Sequence, residues 1–382
     1  MNIDPALKAL SAALAGTGPA VEITPDGTPE PVTSAGLAPE TAAVVRTSGS
    51  TGTPKATMLG IDALAASSMA TAMRLQGEGQ WLLTLSPNYV AGLQVLVRSL
   101  YAGTRPWVMD LSDGFTPEAF TTAAGELTDR FRLVSLVPTQ LHRLLTDPSA
   151  ETVQVLRRFD TILLGGARMS DELRTAARKH SLRIVRTYGM SETCGGCVYD
   201  GVPLDGVELR LDAGRISIGG DILASGYLDN PELTDAHFST VPDKDGAARR
   251  WFLTEDLGEV HDGVLTVSGR ADDVLITGGV KISAAAVAST VETVPGVDAA
   301  LVAGVEDPEW GTRVGAAVVG SADDELIRRT VREALGPAAV PRILVRLEAL
   351  PLLANGKPDR LAVAQALREA GWCAHPAGDK RE

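Results

Sequence analysis

The sequence predicts an α/β protein in two parts. A large N-terminal domain, residues 1–270, is built of wound α/β layers plus a β-rich subdomain, and a small α+β C-terminal domain spans residues 271–382. Three observations carry this reading. Short apolar runs alternate with amphipathic stretches between Gln80 and Arg186, the pattern of strands joined by helical crossovers. From Val207 to Val267 the texture changes to short strands punctuated by Gly and Asp. After Arg270 the order becomes helix, strand, strand, helix. With 382 residues, 45% of them hydrophobic, the chain can bury large cores in more than one domain.

In the first part Gln80–Leu85, Arg132–Val137, Thr161–Leu164 and Arg183–Arg186 read as strands. The stretches Pro117–Leu127, Thr139–Leu145 and Ser170–Lys179 read as helices. In the β-rich part the strands are Val207–Leu211, Arg215–Ile218 and Val264–Val267. The last part offers a helix over Ala284–Thr293, strands near Ala300–Val305 and Val314–Val319, and a helix around Glu325–Leu335. The polar tail Ala374–Glu382 is expected to be loose.

A net charge of −13 without a compensating basic stretch argues against a nucleic-acid partner. No apolar run is long enough to span a bilayer, so no membrane partner is expected. The opening Met-Asn-Ile-Asp-Pro lacks a basic region followed by an apolar core, which points to the cytoplasm. Whether the chain forms a homodimer is left open. Cys194 and Cys197 form a Cys-x-x-Cys, but Cys373 and the scattered histidines supply no second pair of metal ligands, so they read as packing cysteines.

The most informative stretch is Arg46-Thr-Ser-Gly-Ser-Thr-Gly-Thr-Pro-Lys55. Gly49 and Gly52 allow backbone N–H groups to converge on an anion, Ser48, Ser50, Thr51 and Thr53 add hydroxyls, and Lys55 adds a point charge. Such a loop suits a phosphate, and ATP is the first ligand to suspect. The Walker A spacing is absent, and a Ser/Gly-rich linker is the plain alternative.

Four further segments follow in order: Arg186-Thr-Tyr-Gly-Met-Ser-Glu-Thr193, Trp251-Phe-Leu-Thr-Glu-Asp-Leu-Gly258, Gly269-Arg-Ala-Asp-Asp-Val-Leu-Ile-Thr-Gly-Gly-Val-Lys281 and Leu350-Pro-Leu-Leu-Ala-Asn-Gly-Lys-Pro-Asp-Arg360. With the loop, they resemble the core motifs of the adenylate-forming superfamily, which includes acyl-CoA synthetases, from about Val44 to Leu361. Within it, Ala91–Arg98, Leu136–Leu141 and Gly195–Gly206 resemble the short actinobacterial 2-succinylbenzoate–CoA ligases of menaquinone biosynthesis.

The resemblance implies an enzyme that converts an acid to an acyl-adenylate with ATP and Mg²⁺, then passes the acyl group to CoA. It implies that Glu192 coordinates magnesium, with Ser191 beside it in the catalytic set. Ser48 to Thr53 and Lys55 would hold the phosphates. Adenine would lie against Gly165, Gly166 and Ala167, covered by Tyr188 next to Gly189. Asp256 would bind the ribose, with Glu255 its rival by position, and Arg270 would reach the same sugar. Lys357 is implied to be the catalytic lysine of adenylate formation. Asp272 falls at the family's hinge, about which the small, mobile domain turns to present Gly278, Gly279 and Lys281 for the CoA step.

The acid pocket departs from the pattern. Tyr89 stands where 2-succinylbenzoate ligases usually carry histidine, so a distal carboxylate loses a cationic partner. Asn88, Gln94 and Arg98 are the nearest candidate donors, and Thr139 belongs to the same pocket. The alternatives are a relative that activates another aromatic or small acid for an amine or a carrier thiol, and a non-catalytic nucleotide binder. Glu192 and Lys357 together favour the enzyme.

Overall fold

The computed structural model describes residues 1–47, 55–112, 114–242, 246, 248–307, 310–353 and 358–373. The chain divides into two compact units. The first comprises Met1–Asp212, Ile216–Thr254 and Val260–Leu265; the second comprises Ala213–Arg215, Glu255–Glu259 and Thr266–Glu382.

The first unit is organised by a seven-stranded sheet. Trp107–Val108, Gln80–Leu83, Arg132–Leu136, Thr161–Leu164 and Ile184–Met190 run parallel, and Gly195–Tyr199 and Val202–Pro203 continue it antiparallel. Its strands are apolar on both faces because helices cover both. Trp81, Leu83, Leu133 and Leu163 pack with Leu64, Leu93 and Leu96 from the helices Ile61–Leu75 and Val90–Tyr101. The alternate positions, Leu82, Val134, Leu136, Ile162 and Leu164, pack with Phe120, Leu141, Leu156 and Leu173 of four other helices. This doubly wound pattern is the one the alternating runs predict.

The helix starts are encoded locally. Thr116 accepts a hydrogen bond from Ala119 N ahead of Pro117, and Ser170 accepts one from Leu173 N. A second sheet in this unit includes the hairpin Thr41–Thr47 with Lys55–Gly60, flanked by Gly226–Tyr227 on one side and Val21–Ile23 on the other. In the β-rich region the strand Ala248–His261 is much longer than the short segments expected there. Asp256 is therefore mid-strand, because the ladder runs on through polar residues that one apolar stretch does not reveal.

The second unit carries a three-stranded sheet of Val297–Asp307, Gly311–Gly320 and Ile343–Leu347. Ala284–Glu292 and Asp324–Leu335 cover one face through Val287, Val291, Ile327 and Val331. Val363 and Leu367, from the helix Arg360–Cys373, cover the other. Both strands extend several residues beyond the apolar cores that mark them in the sequence.

Candidate active site

The chain makes the strand Gln80–Leu83, moves outward to Trp107–Val108, then returns to lay Arg132–Leu136 on the other side of the first strand. Such a reversal leaves a crevice at the carboxyl ends of parallel strands, where ligands bind in open α/β sheets. Three predicted site segments leave the sheet at this edge: Asn88 and Tyr89 after Leu83, Thr139 after Leu136, and Gly165–Ala167 after Leu164. Thr84 Oγ1 donates to Ser135 O at 2.7 Å, Gln140 Nε2 to Thr84 O at 3.1 Å and Gly165 N to Leu136 O at 3.1 Å, tying the three turns together.

Gly165–Ala167 borders a cleft of about 150 Å³ lined by Leu164, Ala167, Arg168, Met169, Arg174, Arg186 and Thr187. A Cβ on Gly165 would fall 2.4 Å from Thr187 Oγ1, and Gly166 adopts φ +83°, so glycine suits both places. Tyr188 and Gly189 lie on the strand Ile184–Met190, which runs past the expected Arg186 end. A Cβ on Gly189 would meet Gly195 O at 2.0 Å, so only glycine lets the next strand approach.

This strand delivers Ser191 and Glu192 into a single 3₁₀ turn, Ser191–Thr193, followed by Cys194 at φ +50°. A non-glycine residue in the left-handed region needs outside support. Gln94 Nε2 and Ser67 Oγ both donate to Cys194 O, and Thr193 Oγ1 receives Met190 N at 3.0 Å. The turn is thus held from the helix Val90–Tyr101 behind it.

Glu192 is only 9% exposed, and Tyr227 Oη donates to its Oε1 at 2.8 Å. Among the described residues its carboxylate has no cationic hydrogen-bond partner. The Tyr227 ring lies 5.6 Å from the ammonium of Lys55. Burial disfavours a bare charge, so a carboxylate held only by a neutral phenol suits a cation. Mg²⁺ fits: it takes hard oxygen ligands, commonly one or two carboxylates completed by phosphate oxygens and water. Among the described residues no cluster of three or more potential protein ligands forms a full metal cage.

The acid-pocket candidates share the helix Val90–Tyr101 and the turn before it. Tyr89 occupies the helix N-cap with extended backbone and makes no side-chain cap. Asn88 Oδ1 is buried without a hydrogen-bond partner among the described residues. Gln94 is 1% exposed; its amide nitrogen is committed to Ser67 Oγ and Cys194 O, while its Oε1 is buried and unpaired. Arg98, one turn on, is 7% exposed, stacks 5.3 Å from the Trp81 ring centre and leaves Nε buried without an acceptor. Arg98 has no carboxylate partner among the described residues.

In the second unit, Glu255 pairs with Arg215 at 2.7 Å, whereas Arg270 stands 3.5 Å from Asp256. Alternation along the strand sends these adjacent carboxylates to opposite faces, separating Asp256 from its rival. Asp272 lies in the 3₁₀ turn Ala271–Asp273, its side chain outside the described residues. Gly278 and Gly279, at φ +54° and +81°, make the two-residue turn of the hairpin Val274–Thr277 with Val280–Ser283, which bears exposed Lys281. Ser48, Gly49, Ser50, Thr51, Gly52, Thr53 and Lys357 lie outside the described residues. Their described flanks are tight: Thr47 pairs with Lys55, Leu352 bridges Pro358, and Asp359 N donates to Pro351 O at 2.7 Å.

Cys194 and Cys197 are free and buried in the first unit's core. Burial pushes both thiols up, that of Cys197 to about 12, so neither ionises near neutrality. Sequence reasoning missed Tyr227. Its only signal is a Gly-Tyr dipeptide before Asn230-Pro231, which carries no chemistry until the fold places it against Glu192.

These observations gather the candidate segments at the carboxyl ends of a doubly wound sheet, and comparison with known proteins gives the family. The AMP-binding enzyme family matches residues 6–228, and its C-terminal domain matches residues 286–357. The chain belongs to the AMP-binding enzyme family. It is 44% identical over 335 residues to a probable 2-succinylbenzoate–CoA ligase of Mycobacterium tuberculosis, covering 85% of this chain and 84% of that protein. It is 33% identical over 301 residues to the 2-succinylbenzoate–CoA ligase of Salmonella typhimurium, covering 76% and 61% respectively. The o-succinylbenzoate CoA synthetase of Bacillus subtilis, solved with its acyl-adenylate intermediate, superimposes with a TM-score of 0.70 at 25% identity, covering 88% of this chain and 70% of that one.

Proposed function

We propose that this protein is an ATP-dependent 2-succinylbenzoate–CoA ligase that works through an acyl-adenylate. The observation that carries the reading is the convergence of the Gly165–Ala167 cleft, the Asn88–Tyr89 and Thr139 turns and buried Glu192 on one sheet edge, beside Lys55. The 44% identity to a relative of that name supports the substrate class.

A carboxylate is a poor acyl donor, and joining it to AMP creates a leaving group at the cost of bringing two anions together. Glu192 would hold Mg²⁺, which when bound would offset the phosphate charge. Lys55 and the hydroxyl-rich segment Ser48–Thr53 bind the phosphates, Gly165–Ala167 and Tyr188 enclose the base, and Asp256 with Arg270 takes the ribose. Lys357 supplies the cation at the developing charge of the adenylation step. The boundary at 270/271 and the hinge at Asp272 belong to the same reading. So does a cytoplasmic location, where ATP and CoA are supplied.

Arg98 supports a dicarboxylic acid. A buried guanidinium without a carboxylate partner among the described residues is costly unless an anion completes it, and the second carboxylate of 2-succinylbenzoate has that charge. Tyr89, in place of the usual histidine, favours a second reading in which a different acid is activated. Pyrophosphate release and thioester formation, measured over a panel of aromatic and small acids with and without CoA, test both. Release with 2-succinylbenzoate and CoA-dependent thioester is the expected result; release only with another acid overturns the substrate.

A further inference from the structure

We propose that Tyr227 is a positioning residue that holds the Glu192 carboxylate in its metal-binding orientation and couples it to Lys55. The inference rests on the reading of Glu192 as the magnesium ligand. Tyr227 touches both charged groups with different parts of its ring. Its hydroxyl donates to Glu192 Oε1 at 2.8 Å, and its π face lies 5.6 Å from Lys55 Nζ. A phenol can do both at once because its edge is a hydrogen-bond donor while its face attracts a cation.

The ring has little freedom to do anything else. Tyr227 is 3% exposed and pairs in register with Thr57, two residues past Lys55 on the neighbouring strand. His237 and Phe238 meet it edge-on at 6.1 and 5.8 Å between ring centres. Thr234 Oγ1 receives its backbone N at 2.9 Å, fixing the strand from the following helix. On the other side, Ala224 N donates to Glu192 O at 2.9 Å, so the segment before Tyr227 also grips the Glu192 backbone. Two hydrogen bonds from one short segment, one to the carbonyl and one to the carboxylate, therefore set where Glu192 points.

The Glu192 carboxylate could otherwise swing about three side-chain torsions. With Oε1 occupied by Tyr227, Oε2 presents to a cation with its direction already chosen. Groups that hydrogen-bond a metal-holding side chain typically contribute 10–100-fold in metal affinity. The same ring keeps Lys55 near the carboxylate, so the positive group that meets phosphate and the negative group that holds magnesium are spaced by one rigid side chain.

The test compares Tyr227→Phe with Glu192→Gln, using Mn²⁺ as a paramagnetic stand-in whose binding to the enzyme–ATP complex is titrated by electron paramagnetic resonance. Tyr227→Phe keeps the ring and its packing, and thermal melting checks that the fold is retained. The expected result is about tenfold weaker Mn²⁺ binding for Tyr227→Phe, a matching rise in the Mg²⁺ concentration needed for half-maximal adenylation, and little change in kcat at saturating Mg²⁺. A merely structural tyrosine would not shift metal affinity while leaving kcat intact. If Glu192→Gln weakens Mn²⁺ binding but Tyr227→Phe does not, the positioning role is overturned while the metal ligand stands. If Glu192→Gln leaves Mn²⁺ binding unchanged, the metal-ligand reading itself fails, and this inference fails with it.

Discussion

Two turns in this molecule use left-handed backbone in opposite ways. Cys194, closing the Ser191–Thr193 turn, sits at φ +50° although it carries a Cβ. It is held there by Gln94 and Ser67 on its carbonyl, with Thr193 closing the turn from inside. The hairpin turn Gly278–Gly279, at φ +54° and +81°, needs no such help, because glycine adopts these angles without steric cost. Its surroundings are exposed, Ile276 and Val280 nearby among them, and Gly278 N donates to Trp310 O at 3.0 Å. The first turn is rigid because distant residues enforce it; the second is encoded in its own two residues. A carboxylate proposed to hold a metal would benefit from the first arrangement, and a segment proposed to move between steps from the second.

The largest effect is expected where a single charge meets the transition state. Lys357→Ala should lower adenylate formation by on the order of a hundredfold or more, since one cation aimed at developing charge is worth several kcal/mol. The variant should still convert pre-made acyl-adenylate and CoA to thioester. Pyrophosphate release and thioester yield from synthetic acyl-adenylate, measured separately, check this. Equal loss in both would mean that the division of labour between the two regions is wrong.

Next comes the enforced turn. In Gly189→Ala the new Cβ would sit 2.0 Å from Gly195 O, and backbone cannot yield as a side-chain tip can. Overpacking of this kind costs roughly 1–3 kcal/mol. Because Gly189 is two residues before Ser191, displacement should reach Glu192. The expected outcome is a melting temperature lower by several degrees and a KM for ATP about tenfold higher. An unchanged KM in a folded variant would show that the Glu192 turn tolerates strand displacement.

The self-encoded turn should respond more weakly and in a different step. Placing a Cβ at Gly279, whose φ is +81° with open space around it, costs roughly 1–2 kcal/mol of backbone strain and no clash. Gly279→Ala should therefore reduce thioester formation several-fold while adenylate formation stays within about twofold. Single-turnover assays of each half-reaction separate them, and an equal loss in both would remove the hairpin from the CoA step.

The same contrast explains what the sequence makes legible. The wound sheet, Gly165–Ala167 at the end of its strand and the Gly278–Gly279 turn rest on local patterns: alternating apolar runs and glycines where geometry demands them. The segment Ser48–Thr53 and Lys357 lie outside the described residues. What escapes is produced by tertiary contact. Gln94 reads as a donor for substrate, yet its amide nitrogen is spent on Cys194 O, 100 positions away. Tyr227 carries no motif of its own and becomes part of the site only because its strand pairs beside Lys55–Gly60 and its hydroxyl meets Glu192. Asp256 could not be told from Glu255 by position, and the strand's alternation separates them through their different arginine partners.

The smallest effect is expected at Tyr89, and it bears on which acid the enforced region receives. Tyr89 is the N-cap of the helix that also bears Gln94 and Arg98, and its side chain makes no cap. If Arg98 already serves the distal carboxylate of 2-succinylbenzoate, a histidine at position 89 adds one neutral donor. A helix N-terminus disfavours a protonated imidazole by about 0.3–1 kcal/mol, so above about pH 7 Tyr89→His adds a mostly neutral donor, and the cationic form contributes only at lower pH. A hydrogen bond at a half-exposed position lies at the low end of about 0.5–1.5 kcal/mol net, so kcat/KM for 2-succinylbenzoate should stay level or rise by about twofold. The gain should be nearly flat between about pH 7 and 8, where the imidazole is mostly neutral, and should change only below about pH 6.5 as the ring protonates. A fall of more than about tenfold in a correctly folded variant would mean that the tyrosine hydroxyl itself contacts the acid. The pocket would then be rebuilt around Tyr89, and another acid would be the better candidate.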